Sequence, residues 1–171
     1  MITFIGMPGA GKSCMSKYVG KKLKMKIVDG DRLIEQRTGR KLQDIIDSDG
    51  LEAFKALERE TLLSITDDSL IVSPGGSAVY YDDVMQHFKE KGIIVYLYVG
   101  FATMKHRLGD YSRRGVVLDP GTTLEDLYNE REPLLRKYAD IIINCDGNAF
   151  ARYHAQTLDK ISALLASKEN V

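Results

Sequence analysis

Eight residues near the start of the chain have the types and spacing of a loop that binds the phosphates of a nucleoside triphosphate. Residues 6–13 read GMPGAGKS and fit the pattern GxxxxGK[ST]. Backbone N–H groups in such a loop converge on phosphate oxygens, Lys12 reaches the β- and γ-phosphates, and the Ser13 hydroxyl holds Mg²⁺. An apolar run precedes the loop and a helical pattern follows it, as the motif requires. We therefore predict a nucleoside triphosphate site rather than a chance glycine-rich turn.

Two carboxylates follow the second predicted strand, which ends in the sequence Val-Asp-Gly-Asp at residues 28–31. Ligands of open parallel sheets sit beyond the carboxyl ends of the strands. On an extended segment, Asp29 and Asp31 point to the same side. We expect one of the two carboxylates to help hold Mg²⁺ and the other to orient or deprotonate an attacking hydroxyl. The alternative is that Asp31 only caps the next helix.

A pair of glycines, Gly75 and Gly76, follows the third predicted strand in the sequence SPGGSA. Glycines at this place let a ligand approach the backbone closely, although a tight turn alone is the alternative. Many nucleotide-binding proteins of this type carry a metal-binding aspartate here, and residues 71–77 contain none. The Mg²⁺ carboxylate must then come from elsewhere, which favours Asp29.

Basic residues cluster in the last third of the chain, and arginine suits carboxylate and phosphate recognition because its guanidinium is a planar fork. The cluster comprises Arg107, Arg113, Arg114, Arg131, Arg136 and Lys137. Residues 109–123 form a polar stretch with glycine and proline that carries two of these arginines. Such a stretch inside a small domain is typical of a lid or binding loop. By contrast, Arg136 and Lys137 are interpreted as the solvated end of a helix.

Short apolar runs alternate with amphipathic stretches along the whole chain, which predicts a parallel sheet covered by helices on both faces. The predicted strands are residues 2–5, 26–29, 69–73, 93–98 and 141–144. The predicted helices are residues 13–23, 33–65, 82–91, 101–108, 124–138 and 150–167. The order of the strands is not readable from this pattern. A length of 171 residues indicates a single α/β domain.

The composition excludes several classes of protein. Lysine plus arginine and aspartate plus glutamate both number 24, so the formal net charge of zero argues against a general nucleic-acid binder. We expect no signal peptide, because the first strand is predicted to begin at residue 2, and no apolar run is long enough to span a bilayer. Cys14 and Cys145 lack metal-binding spacing, and we interpret both as buried thiols of a cytoplasmic protein.

Taken in order, these motifs resemble the shikimate kinase family over nearly the whole chain. The resemblance rests on GMPGAGKS, VDGD, SPGGSAV, REPLLRKYAD and, most specifically, residues 34–58. It implies a P-loop kinase fold, a three-layer α/β/α sandwich around a mostly parallel sheet of about five strands. It also implies an acceptor-binding helical region at residues 32–65 and a lid at residues 109–123. The implied cofactor is Mg²⁺ with ATP as co-substrate, in a cytoplasmic monomer that binds neither nucleic acid nor membrane.

The resemblance also implies roles for individual residues. Catalysis would involve Lys12, Asp31 and the lid residue Arg114, which would stabilise the transferring phosphoryl group. The nucleotide would be bound by Gly9, Ala10, Gly11, Lys12, Ser13, Cys14 and Arg107, the last of these stacked on adenine. Shikimate would be bound by Asp31, Lys55, Gly75, Gly76 and Arg131, where Arg131 grips the carboxylate. The metal would be held by Ser13 and Asp29.

The chain departs from the family pattern mainly on the acceptor side. Lys55 stands where the family usually has an arginine of the carboxylate clamp, oriented by an acid at Glu58, and Ser77 replaces a third glycine. The lid reads Arg114-Gly115-Val116 instead of Arg-Pro-Leu. An asparagine–proline pair often found beside adenine is absent. Three alternatives stay open. They are a kinase of another small polyol, hydroxy acid or amino-acid alcohol, a catalytically silent nucleotide-binding regulatory or interaction module, and a nucleic-acid or nucleotide kinase.

Overall fold

A five-stranded parallel sheet forms the centre of the protein. The computed structural model describes residues 1–109, 121–147 and 149–169. The strands are β1 (Ile2–Ile5), β2 (Ile27–Asp29), β3 (Ile71–Ser73), β4 (Ile93–Tyr98) and β5 (Ile141–Asn144). Their spatial order is β2-β3-β1-β4-β5, and every pairing between neighbours is parallel. The prediction of a parallel sheet with about five strands is confirmed.

Helices surround this sheet to give the predicted three-layer α/β/α sandwich. They are α1 (Lys12–Leu23), α2 (Gly30–Thr38), α3 (Leu42–Asp49), α4 (Leu51–Leu63), α5 (Asp82–Lys91), α6 (Phe101–Leu108), α7 (Leu124–Tyr138) and α8 (Phe150–Glu169). Helix α1 packs on β1, β2 and β3 and also against α8, whereas α5 and α7 pack on β4. A short 3₁₀ turn (Ala78–Tyr80) connects β3 with α5. No helix in the described part of the chain is long and apolar enough to cross a membrane.

The main hydrophobic core lies on both faces of the sheet. Every residue of β1 and all but the last residue of β4 are buried, which agrees with their continuous apolar sequences. A second, smaller core consists of Ile34, Ile45 and Phe54, one residue from each of α2, α3 and α4. This separate core holds the three helices together beside the carboxyl end of the sheet.

The single long helix predicted for residues 33–65 is wrong, because the segment forms three helices. Helix α2 ends at Gly39, whose φ of 67° lies in the left-handed region and whose N–H donates to Glu35 O at 2.8 Å. Gly50 separates α3 from α4. Both glycines interrupt the amphipathic pattern in the sequence, so a stop signal was present but outweighed by the periodicity around it. The breaks allow the helices to fold over one another.

The strand register brings the ends of β2 and β3 together. Asp29 pairs with Ser73, the last residue of β3, so the carboxylate after β2 and the glycine pair after β3 lie at the same edge of the sheet. The phosphate-loop motif follows β1, which pairs with β3. The fold therefore delivers three of the predicted motifs to one end of three neighbouring strands.

Candidate active site

The loop between β1 and α1 holds the ammonium group of Lys12 with its own backbone. Lys12 Nζ donates to Gly6 O at 2.8 Å and to Met7 O at 3.2 Å. Helix α1 starts after Gly11, whose φ of 97° is one that side chains rarely adopt. Burial lowers the pKa of Lys12 to about 8, while the nearby Asp31 carboxylate acts in the opposite direction. The lysine side chain is therefore largely charged at neutral pH and can bind an anion.

The two carboxylates after β2 have different local roles. Asp29 ends β2 and caps α2, with its side chain accepting from Arg32 N–H at 3.2 Å. Asp31 lies in the first turn of α2, so the prediction of one extended segment carrying both side chains is wrong. The alternative that Asp31 is the helix cap is also wrong, because Asp29 occupies that position. Asp31 is thus left available for another function.

The environment of Asp31 raises its pKa to about 6. Burial is the largest cause, and the neighbouring carboxylates of Asp29 and Glu58 act in the same direction, whereas Lys12 opposes them. A carboxylate with a pKa in this range can accept a proton near neutral pH. Such a perturbed group in a cavity is typical of a catalytic acid or base.

One cavity of about 870 Å³ joins the phosphate loop to the second core. It brings together most of the residues predicted from the sequence to act on ligands. Its lining includes Gly9, Lys12, Ser13, Asp29, Asp31, Lys55, Gly75, Gly76 and Arg131. The cavity is therefore large enough, and polar enough on one side, to hold a nucleotide phosphate chain next to a small acid.

The glycine pair after β3 leaves space for charged side chains to approach the backbone. A Cβ atom on Gly75 would lie 2.7 Å from Glu58 Oε1 and 3.0 Å from Asp31 Oδ1. A Cβ atom on Gly76 would lie 2.6 Å from Arg131 Nη1. All three distances are shorter than a normal contact, so larger residues would displace the groups that line the cavity.

Glu58 lines the cavity, and only the family resemblance had named it, as the acid that orients residue 55. Its side chain is only 1% exposed, and it accepts hydrogen bonds from Ser77 Oγ and Tyr81 Oη. Burial raises its pKa, whereas these two donors and the charge of Arg131 act in the opposite direction. The available sequence signal was a lone acid at a core position of an amphipathic helix, which needs a buried partner.

The two cations of the expected carboxylate clamp are held by different partners. Arg131 Nε donates to Tyr80 Oη at 3.1 Å, and the guanidinium lies 5.2 Å from the centre of the Tyr80 ring. Lys55 forms an ion pair with Glu52 at 2.8 Å, one helical turn away. Neither Tyr80 nor Glu52 was selected from the sequence. Arg131 contacts an aromatic side chain, whereas Lys55 pairs with a largely exposed carboxylate.

Among the described residues, several predicted nucleotide ligands lie beside the cavity rather than on its wall. Arg107 donates to the carbonyls of Cys145 and Gly147 at 2.7 and 2.6 Å and lies over the Phe150 ring at 5.5 Å. Ala10, Gly11 and Cys14 belong to the phosphate loop or the first turn of α1. The predicted lid lies mostly outside the described residues, and Arg113 and Arg114 lie there entirely.

The two cysteines differ, which corrects the prediction that both are buried. Cys145 is buried, and this burial raises its pKa to about 11. Cys14 is exposed, and its Sγ lies 3.8 Å from His154 Nε2. The first turn of α1 places Cys14 toward the surface because the buried face of that helix is formed by Met15, Ser16, Val19 and Gly20.

Comparisons with known proteins show which family this chain is similar to. The family model described as shikimate kinase matches residues 8–162. A shikimate kinase from Sulfurihydrogenibium sp. (strain YO3AOP1) is 34% identical over 161 residues, which is 94% of this chain and 96% of that protein. A shikimate kinase from Hahella chejuensis is 32% identical over 171 residues, covering 98% of this chain and 88% of that protein. The residues matched by the family model include most of the phosphate loop and the acceptor side of the cavity.

Solved structures agree with this assignment. The shikimate kinase from Acinetobacter baumannii in complex with shikimate superposes with a TM-score of 0.80 at 27% identity, covering 98% of this chain and 93% of that one. The shikimate kinase from Aquifex aeolicus gives a TM-score of 0.79 at 24% identity, with 99% and 96% coverage, and supports the fold.

Proposed function

The chain belongs to the shikimate kinase family, and from that premise we propose that it transfers the γ-phosphoryl group of ATP to a hydroxyl of shikimate. The product would be shikimate 3-phosphate, an intermediate of aromatic amino-acid biosynthesis. The observation that carries this proposal is that Lys12, Asp31, the glycine pair and Arg131 line one cavity. Phosphoryl transfer needs mainly positioning and charge stabilisation, and this cavity offers both.

The phosphate loop forms the nucleotide side of the proposed mechanism. Backbone N–H groups of residues 9–14 bind phosphate oxygens, and Lys12 exchanges its bonds to two carbonyls for bonds to the β- and γ-phosphates. Arg107 already lies against Phe150 near the end of β5, which supports a position beside the adenine ring. Arg114 keeps its proposed role at the transferring phosphoryl group on the family resemblance alone.

Ser13 and Asp29 are the proposed protein ligands of Mg²⁺. No group of three or more His, Cys, Asp or Glu side chains suited to a metal occurs within residues 1–109, 121–147 and 149–169. This arrangement fits Mg²⁺, which often takes one or two protein oxygens together with nucleotide phosphates and water. The Ser13 hydroxyl and the Asp29 carboxylate are hard oxygen donors on the wall of the same cavity. When bound, the ion would neutralise charge that develops on the phosphate oxygens.

Asp31 is proposed to orient the attacking hydroxyl and to take its proton. The pKa of about 6 keeps most of the side chain ionised at neutral pH, as an acceptor of a proton must be. Its Oδ1 atom lies close to Gly75, where a glycine leaves space for the ring of the acceptor. The positive charge of Lys12 favours the ionised form of Asp31. A residue on the nucleotide side therefore affects the proposed base on the acceptor side.

Arg131 is the proposed main partner of the shikimate carboxylate. Its contact with Tyr80 fixes the guanidinium at the cavity wall, and an arginine can bind a carboxylate through two parallel hydrogen bonds. Lys55 supplies a second positive charge and reaches the carboxylate as a point charge rather than a fork. The helical region 32–65 forms the wall around the acceptor, and residues 109–123 are proposed to close over both ligands.

The remaining features of the proposal follow from the family and the composition. We propose one domain over residues 1–171 that acts as a cytoplasmic monomer and binds neither nucleic acid nor membrane. The balance of 24 basic and 24 acidic residues supports the absence of nucleic-acid binding.

A coupled assay of ADP release tests the proposal directly. Purified protein with ATP and Mg²⁺ is presented with shikimate and, separately, with a panel of sugar acids, polyols and hydroxy amino acids. The expected result is strong preference for shikimate, with the phosphorylated carbon identified by ³¹P and ¹³C NMR. Turnover of another panel member in preference to shikimate would favour a different acceptor. ATP binding without turnover of any acceptor would favour the silent nucleotide-binding module.

A further inference from the structure

Ser77 holds the buried Glu58 carboxylate from the side of the cavity. Ser77 Oγ lies 2.7 Å from Glu58 Oε1 and 2.6 Å from Oε2, and Tyr81 Oη lies 2.9 Å from Oε2. All three residues line the cavity that contains Asp31 and Arg131. Ser77 itself is half-buried, and it lines this cavity.

The hydroxyl of Ser77 has a limited capacity for hydrogen bonds, and Glu58 uses part of it. A serine hydroxyl has one hydrogen to donate and two lone pairs, whereas an ionised carboxylate only accepts. Because the carboxylate of Glu58 lies within hydrogen-bond distance on both oxygens, the hydrogen of Ser77 points at Glu58. The Ser77 oxygen is thereby oriented as an acceptor. Tyr81 is likewise fixed as a donor, since burial and the Glu58 charge raise the pKa of its hydroxyl.

The position of Ser77 relative to the proposed acceptor site is defined by its neighbours. It follows directly on Gly76, beside which Arg131 Nη1 lies, and a Cβ atom on Gly75 would stand 3.7 Å from Ser77 Oγ. The hydroxyl therefore lies beside the two glycines that leave room for the ring. A glycine at residue 77 would present only backbone to this part of the cavity.

We propose that Ser77 is a specificity-determining residue that accepts a hydrogen bond from a non-reacting hydroxyl of the acceptor. The carboxylate of Glu58, held by Ser77 and Tyr81, serves as the positioning group that aims the serine lone pairs into the cavity. This inference rests on the proposed function, since it assumes that shikimate occupies the cavity. It assigns the chain a contact that a third glycine at residue 77 does not provide.

Loss of the Ser77 hydroxyl should weaken binding of shikimate and leave the chemical step nearly unchanged. Ser77→Ala and Ser77→Gly both remove the acceptor oxygen, so each should raise KM for shikimate by about 5- to 10-fold, the effect of losing one hydrogen bond. The value of kcat should change by less than about twofold, because Asp31 and Lys12 are untouched. Ser77→Thr keeps the hydroxyl and should retain most of the affinity.

Deoxy analogues of shikimate identify the hydroxyl concerned. With 4-deoxyshikimate and 5-deoxyshikimate as acceptors, one of the two should show the same KM in the wild type and in Ser77→Ala. The other should still show the 5- to 10-fold difference, because the hydroxyl that contacts Ser77 is still present. If the KM ratio is equal for both analogues and for shikimate, Ser77 acts only through Glu58 and the direct contact is disproved.

Two controls separate folding and the wider proposal from this inference. Ser69→Ala removes a serine–carboxylate bond of 2.6 Å on the surface, between Ser69 Oγ and Asp67 Oδ1, and should leave KM for shikimate unchanged. An unchanged KM for ATP in the Ser77 variants shows that they are folded. Absence of shikimate turnover by the wild type would overturn the proposed function itself. Turnover with the same KM in wild type and Ser77→Ala would overturn only the role of Ser77.

Discussion

The nucleotide side and the acceptor side of the cavity are built by different means. On the nucleotide side, the loop backbone provides most of the contacts that define the site. Two of its carbonyl groups accept hydrogen bonds from Lys12, and α1 begins after Gly11. On the acceptor side, side chains hold one another. Hydrogen bonds from Ser77 and Tyr81 orient the Glu58 carboxylate. The hydrogen bond to Tyr80 orients the Arg131 guanidinium.

This difference decides how each side responds to substitution. A backbone loop keeps its geometry when neighbouring side chains change, so removal of Lys12 deletes one group and leaves the loop. A network of side chains shifts when any member changes, so its variants should alter acceptor affinity by degrees. We therefore expect near-complete losses of activity on the nucleotide side and graded changes in KM on the acceptor side.

Lys12→Ala should give the largest effect. We expect turnover to fall by at least about 10²- to 10³-fold, the loss typical of removing one preorganised charge-stabilising donor, with greatly weakened ATP binding. Steady-state kinetics and calorimetric titration with ATP measure the two effects. Lys21→Ala, an exposed lysine in the last turn of the same helix, is the control. Normal kinetics in folded Lys12→Ala would remove the nucleotide-site assignment.

Asp31→Asn should lower kcat by at least about 10²-fold while ATP binding persists. The wild-type pH profile tests the same residue. Since the raised pKa of Asp31 is about 6, the carboxylate is present above that pH, and kcat/KM should fall as the pH decreases through 6. Since the pKa of Lys12 is about 8, a second decrease should follow as the pH rises through 8. An acidic limb that persists unchanged in Asp31→Asn would assign it to another group.

Gly76→Ala should change acceptor affinity without unfolding the protein. The new Cβ atom would meet Arg131 Nη1 at 2.6 Å, and this atom ends a flexible side chain that can move away. KM for shikimate should rise by roughly 10- to 100-fold through misplacement of the guanidinium, with the melting temperature and KM for ATP nearly unchanged. In an Arg131→Ala background the same substitution should add nothing. An additional loss there would show that Gly76 contacts the substrate directly.

The contrast between the two sides also explains what sequence could predict about the fold. Strands β1, β4 and β5 begin and end as predicted, because each is a short and largely buried run of apolar residues. The three helices within residues 33–65 were missed because Gly39 and Gly50 were outweighed by a continuous amphipathic pattern. Strand order depends on contacts between distant segments, and no local pattern encodes it.

The functional site likewise combines a local motif with contacts between distant segments. The phosphate loop is local, so eight consecutive residues identified it. Asp31 was selected, yet its place in the first turn of α2 and not on an extended segment depended on the cap formed by Asp29. The contacts of Glu58 with Ser77 and Tyr81 span 19 and 23 residues, and the contact of Arg131 with Tyr80 spans 51. Such pairings arise from tertiary packing. The sequence shows each polar residue but gives no local sign of which distant residue it contacts.

Lys55→Arg should give the smallest effect and the only gain. In the proposed function, Lys55 and Arg131 share the shikimate carboxylate, and a lysine offers a point charge where an arginine offers a fork. The ion pair of Lys55 with Glu52 joins two partly or largely exposed side chains, with 40% and 87% exposure, and is easily exchanged for a ligand. KM for shikimate should fall by up to about tenfold, equal to one additional charge-assisted hydrogen bond of roughly 1.5 kcal/mol.

Whether Lys55→Arg raises or lowers activity on shikimate distinguishes shikimate from another acceptor better than the size of the effect does. If Lys55 is adapted to a different acid, Lys55→Arg should reduce activity on that acid and do little for shikimate. Lys89→Arg makes the same exchange at a lysine paired with Asp140 outside the cavity and should change neither value. The decisive quantity is kcat/KM for shikimate in the three proteins. A higher kcat/KM in Lys55→Arg alone would place residue 55 in the carboxylate clamp. Only a side chain that contacts the carboxylate can gain from the two parallel hydrogen bonds that a guanidinium forms.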